Sequence, residues 1–232
     1  MEQLYVFGTG NAAVIHYYNT CFSIRNEDRF FMVDAGGGNG ILQILDKMNV
    51  QYSQIHDLFV THEHTDHLLG VVWMVRFIAT RMLNGTYDGD LNIYCHDQLT
   101  STIDTFCRLT LQGKFYRLIG DRIHLIPVHD GETLSIMDYE VTFFDIHSTK
   151  ARQFGFTTTL KKYDRVPKRN PRMKTKITAP ESLRHQERTD FHDNTVFLHS
   201  GKALFCVLQT CPPYARVPDC RCGAPPPDGQ RP

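Results

Sequence analysis

Between an apolar strand-like segment, HDLFVT, and an apolar run of helix length, LLGVVWMVRFIATRML, the chain sets His62, His64, Asp66 and His67 within six residues. Imidazoles and a carboxylate are expensive to bury unless something pairs with them. The fold must therefore hold this loop where the four side chains can share a partner. His62 and His64 are two apart, so in an extended segment both lie on one face. Asp66 and His67 follow where the chain turns into the next helix, and they aim at a neighbouring point. Nitrogen donors with one carboxylate suit zinc or another divalent transition metal better than calcium or magnesium. The competing reading, a solvated loop that happens to be rich in histidine, fits poorly between two apolar segments.

Around this loop the first 160 residues alternate between strand and helix patterns. LYVFG, CFSI and RFFMV read as strands, with AGGG as a flexible loop after Asp34. Ile41, Leu42, Ile44, Leu45 and Met48 recur at helical spacing. The run after the histidines is apolar on nearly every side, which predicts a mostly buried helix. LNIYC is the next strand, and Asp97 is placed to cap a helix whose inner face holds Leu99, Ile103 and Phe106. IHLIPV, TLSIM, EVTFFDI and FGFTTTL follow as further strands, giving an α/β sandwich.

Near Lys161 the pattern changes. Lys161 to Lys176 is basic, broken by prolines and without an apolar period, and after the apolar island NTVFLHSGKALFCVL the end is rich in proline, cysteine and arginine. The expectation is one metal-binding domain over residues 1–160 and a divergent, poorly structured tail over 161–232. Lysine plus arginine and aspartate plus glutamate both number 25, which excludes a chain coated in positive charge but not a local basic patch. The chain shows no secretory leader, and its longest apolar run is too short to span a bilayer, so a cytoplasmic protein without membrane contact is expected. Cys21, Cys95 and Cys107 read as small buried apolar residues. Cys206, Cys211, Cys220 and Cys222 have poor spacing for a zinc knot, since only Cys220 and Cys222 are close.

The motif THEHTDH resembles the HxHxDH signature of the metallo-β-lactamase superfamily. FMVDAGGG resembles that family's strand ending in an aspartate, here Asp34, and DIHSTKARQFGFTTTL resembles the segment carrying a third metal-site histidine, here His147, in the ribonuclease Z branch. The opening GTGNAA…NTCFSI looks like the first hairpin of the same branch. The resemblance implies an αββα sandwich of the metallo-β-lactamase type, incomplete at the C-terminus, with zinc at the sheet edge. It implies His62, His64 and His147 on one ion, Asp66 and His67 on a second, and Asp34 orienting the loop from behind. It also implies a hydroxide made available at neutral pH by the metal, with Asp66 as the catalytic proton acceptor.

The resemblance fades after about residue 160. The family's bridging carboxylate and last histidine have only Asp193 and His199 as candidates, and without that carboxylate one ion is expected rather than two. His185 and His192 receive no role. His16, His56, His96, His124 and His129 stand outside any ligand cluster and read as structural or solvated. Three functions follow in order. The first is a ribonuclease Z-like endoribonuclease that processes the 3′ end of precursor tRNA, with a homodimer as its assembly. The second is a hydrolase of a small phosphodiester such as a cyclic phosphate, or of a lactone or thioester. The third is an inactive metal-binding remnant.

Overall fold

The computed structural model describes residues 3–159 and the backbone of two later strands, Val196–His199 and Lys202–Phe205. Eleven strands and four helices are described. The first sheet is built from β1 (Gln3–Gly8), β2 (Cys21–Asn26), β3 (Arg29–Val33), β4 (Ile55–Phe59), β5 (Leu91–His96) and β6 (Ile123–Val128), in that order. β1, β2 and β3 pair antiparallel, whereas β3, β4, β5 and β6 run parallel. Parallel neighbours need crossovers. α1 (Gly40–Lys47), α2 (Thr65–Leu83), α3 (Asp97–Thr110) and the short α4 (Gly113–Tyr116) lie on the connections between them.

A period of two divides each parallel strand between two cores. On β3, Phe30 and Met32 join the helix-side cluster, while Phe31 and Val33 join a second cluster against the other sheet. Leu58 and Phe59 divide in the same way on β4, as do Ile93 and Tyr94 on β5. The second sheet has the order β10 (Val196–His199), β11 (Lys202–Phe205), β9 (Phe154–Thr158), β8 (Tyr139–Asp145), β7 (Thr133–Ile136), all antiparallel. Phe143, Phe154 and Phe156 fill the space between the sheets, with Phe59 packing on Phe143 at 5.1 Å and on Phe156 at 5.6 Å. The expected α/β sandwich is present as a helical layer, a mixed sheet and an antiparallel sheet. Among the described residues every helix precedes β6.

Several local readings shift. α2 begins at Thr65, so Asp66 and His67 occupy its first turn, where an acidic side chain is favoured by the helix dipole. Its outward face is less buried than its apolar content suggests. Trp73 is exposed beneath Arg76, and Arg81 stacks on Phe77 at 3.5 Å, so guanidinium groups cover the aromatic rings. α3 is capped by His96, not Asp97, because the His96 side chain reaches back to accept from the Leu99 N–H at 3.3 Å. Its inner face is Leu99, Ile103 and Cys107, and Phe106 is exposed, because a spacing of four places Cys107 beneath Ile103. Cys21, Cys95 and Cys107 are free and buried, as expected. Two strands lie beyond residue 160, on the apolar island, and extend the second sheet next to β9. The basic stretch Lys161–Lys176, His185, His192, Asp193 and the four late cysteines lie outside the described residues. Among the described residues no helix is long and apolar enough to cross a membrane.

Candidate metal centre

The loop His62–His64 leaves the C-terminal end of β4 and enters α2, with Asp34 just past the end of β3 and His96 at the end of β5. Ends of parallel strands converge there, and that is where open α/β sheets present ligand-binding groups. Asp34 is 1% exposed and sits at φ +55°, a left-handed conformation that aspartate tolerates better than most residues. This backbone kink turns its carboxylate under the loop. Oδ1 accepts from the Thr61 N–H at 2.9 Å, and Oδ2 accepts from the Thr61 hydroxyl at 2.9 Å and faces His67 Nδ1 at 2.7 Å.

These contacts set the ring orientations. With Asp34 holding His67 through Nδ1, Nε2 points the other way, 3.5 Å from Asp66 Oδ2. His62 Nδ1 lies 2.9 Å from the Thr61 hydroxyl, with Gln153 Nε2 also near at 3.3 Å. Because that hydroxyl donates to Asp34, it accepts from His62 Nδ1, to which Gln153 can add a contact only with its amide oxygen turned to the ring, and the His62 Nε2 lone pair faces His64 Nδ1 at 3.1 Å. Two donor pairs are thus preformed on one loop. Zinc–nitrogen distances of about 2.0–2.1 Å in a tetrahedral array put two nitrogens about 3.3 Å apart. The His62–His64 pair has that separation, and the chemistry of the donors fits a divalent transition metal.

Asp66 Oδ2 also accepts from the Ala12 N–H at 3.1 Å, which ties the loop after β1 to the site. Ala12, Ala13, Glu63, His64, Thr65 and Asp66 line an open cleft of about 380 Å³. Burial holds His62 neutral, pushing its pKa down to about 3, and the neighbouring His67 adds to that. For His67, burial works against the charged ring, but the charge and hydrogen bond of Asp34, with those of Asp66, outweigh it and raise the pKa well above the ordinary range.

His147 is placed differently. It lies on the loop after β8 at φ +57°, its side chain is 81% exposed, and its Nδ1 is 3.8 Å from Asp145 Oδ1. It is not brought to the His62–His64 pair, and among the described residues no group of three or more histidine, cysteine or acidic side chains converges in a metal-holding arrangement. Arg152, at the end of that loop, bridges Asp97 and Asp145, the latter at 3.6 Å. His199 closes β10 beside Lys202, and Asp193 lies outside the described residues.

Thr61, Gln153 and Ala12 were not legible as site residues from the sequence, because each acts through a contact distant along the chain. Gly70 is another. A Cβ there would meet the Ala35 carbonyl oxygen at 1.8 Å, so only glycine lets α2 approach the Asp34 loop, and its N–H donates to the Gly36 carbonyl at 2.8 Å. A glycine inside an otherwise strongly apolar helix was the signal that could have marked it.

The family model described as Anti-Pycsar protein Apyc1 matches residues 2–201. The curated Ribonuclease Z of Phocaeicola vulgatus is 25% identical over 122 residues, covering 50% of this chain and 36% of that protein. The chain therefore spans about a third of that relative's length. Among solved structures, human tRNase Z, short form, aligns with a TM-score of 0.53 at 19% identity, covering 69% of this chain and 64% of that one. The metallo-beta-lactamase fold protein YhfI from Bacillus subtilis aligns with a TM-score of 0.52 at 19% identity, covering 68% of this chain and 58% of that one. The fold is that of the metallo-β-lactamases.

Proposed function

Since the chain belongs to the Anti-Pycsar protein Apyc1 family, we propose that it is a metal-dependent phosphodiesterase acting on a small phosphodiester such as a cyclic phosphate. The observation that carries this reading is the pair of preformed donor sets, His62 Nε2 with His64 Nδ1 and Asp66 Oδ2 with His67 Nε2, of which His64 and Asp66 line one cleft. In the proposal His62, His64 and His147 hold one zinc ion, while Asp66 and His67 contribute to a second. His147 then reaches the pair by movement of its own exposed loop. Asp193 and His199 remain the proposed sources of the bridging carboxylate and last histidine.

A divalent ion held by these residues would make hydroxide available near neutral pH and would stabilise charge on phosphoryl oxygens. The chain's own groups do the rest. Asp34 fixes the His67 ring through Nδ1, so that Nε2 keeps its direction. Thr61 does the same for His62. The Asp66 carboxylate, steadied by the Ala12 N–H on Oδ2, would accept a proton leaving water at the cleft through its other oxygen. A cleft of about 380 Å³ is the size that takes a small ligand.

The partial likeness to Ribonuclease Z favours a second reading, 3′-end processing of precursor tRNA by a cytoplasmic homodimer, with Lys161–Lys176 as its phosphate-binding arm. One experiment separates the readings. The full chain, loaded with zinc or manganese, is assayed on bis-p-nitrophenyl phosphate, a panel of nucleoside cyclic phosphates and a 3′-extended tRNA, each with and without chelator. Chelator-sensitive hydrolysis of a cyclic phosphate is the expected result. Cleavage of the tRNA alone would install the second reading, and bound metal with no turnover of any substrate would leave a metal-binding remnant.

A further inference from the structure

His96 is 1% exposed, and its Nε2 is a buried polar atom with no hydrogen-bond partner among the described residues. Its Nδ1 accepts from the Leu99 N–H as the cap of α3, so the ring carries its proton on Nε2. A buried donor left without an acceptor is destabilising, so a partner for it is expected close by. The main-chain carbonyl of Arg152 lies near the ring but outside hydrogen-bond geometry. The facing acceptor is Glu63 Oε2, 3.7 Å away.

Glu63 stands between the two loop histidines and lines the cleft, and 42% of its side chain is exposed. Its carboxyl group thus lies beside both the His96 ring and the cleft. A carboxylate accepts hydrogen bonds and repels anions, so it meets a donor of the substrate and not its phosphate. Being adjacent to the ligand loop, it meets a donor within a few bonds of phosphorus, which in a nucleotide is a sugar hydroxyl. We propose that Glu63 is a specificity-determining residue that accepts from a ribose hydroxyl next to the scissile phosphodiester, and that His96 is the positioning residue that holds it. This rests on the phosphodiesterase reading.

The dyad and the activity are tested separately. In the full chain labelled with ¹⁵N-histidine, His96 is expected as the Nε2–H tautomer, with a proton resonance that moves on Glu63→Ala. A proton on Nδ1, or a resonance indifferent to that substitution, overturns the dyad. In the metal-loaded chain, ribonucleoside 3′,5′-cyclic phosphates are expected to be preferred over their 2′-deoxy counterparts in kcat/KM by about tenfold, the weight of one hydrogen bond to a charged group. Glu63→Ala and His96→Asn should both collapse that preference, the asparagine retaining the helix cap while lacking Nε2. An unaltered preference overturns the assignment. Absence of chelator-sensitive turnover of bis-p-nitrophenyl phosphate, which has no hydroxyl, defeats the phosphodiesterase reading and with it the substrate contact, while the ¹⁵N signal still decides the dyad.

Discussion

Asp34 joins three parts of the chain through two oxygens: the end of β3, the backbone and hydroxyl of Thr61, and the ring of His67. Asp34→Ala leaves a buried imidazole and a buried hydroxyl without their acceptor. Breaking such a pair costs about 3–5 kcal/mol, and loss of the outer partner of a metal-binding histidine weakens affinity about 10–100-fold. Urea unfolding of the metal-free protein and chelator competition measure the two losses independently. The same ring gives a pH signature. His62 is neutral when folded, so below the ordinary histidine value of about 6.5 the unfolded chain binds a proton that the folded chain does not, and stability falls with pH. His67 keeps its proton when folded, so its contribution is complete below about 6.5 and is lost as pH rises toward its raised folded value. The metal-free protein is therefore expected to be most stable near pH 6.5, with each ring contributing a slope of up to about 1.4 kcal/mol per pH unit on its side. A monotonic profile from pH 5 to 8 in chelator would contradict this. His62, His64, Asp66 and His67 were legible in the sequence because they are neighbours along the chain. The unpartnered Nε2 of His96 was not, because it is defined by what three separate segments bring near it.

α2 carries the same lesson at the level of elements. Its apolar run announces a buried helix, but its position is set by Gly70, whose lack of a side chain allows contact with the Ala35 and Gly36 carbonyls. Gly70→Ala is an overpacking substitution that forces helix and loop apart. It should cost about 3 kcal/mol despite alanine's better helix propensity. A thermal midpoint unchanged or raised by that substitution would show that the approach is not tight. Strands with clean alternation, such as RFFMV, were readable because one residue in two faces each core. The cap of α3 was misassigned by one position because aspartate is the better capping residue on average. Here the chain geometry at the end of β5 gives the task to histidine. The loop from Ile146 to Arg152 carries His147, the proposed third donor. Its base is fixed by Arg152 between Asp97 and Asp145, while His147 itself is exposed.

For the molecule as a whole, the described second sheet does not end at residue 160. β11 pairs with β9 in the register Ala203↔Thr158, Leu204↔Thr157 and Phe205↔Phe156. A chain cut after residue 160 would leave β9 as an unprotected edge next to the candidate site. Such a fragment is expected to melt lower than the full chain and to self-associate, and size-exclusion chromatography beside thermal melts checks both. A soluble monomer with the full chain's midpoint would mean that the later strands contribute nothing. The order of strands was not legible beforehand, because more than forty residues, most of them without a pattern, separate β9 from β11. One link between the halves has a wider consequence. The Phe154 N–H, first in β9, donates to the Thr61 carbonyl at 3.1 Å, stitching the second sheet to the histidine loop. This bond couples sheet closure to site assembly, and deuterium is expected to enter the Phe154 and Thr61 amides at one common opening rate under conditions where any opening is followed by exchange; separate rates would mean that the two open independently.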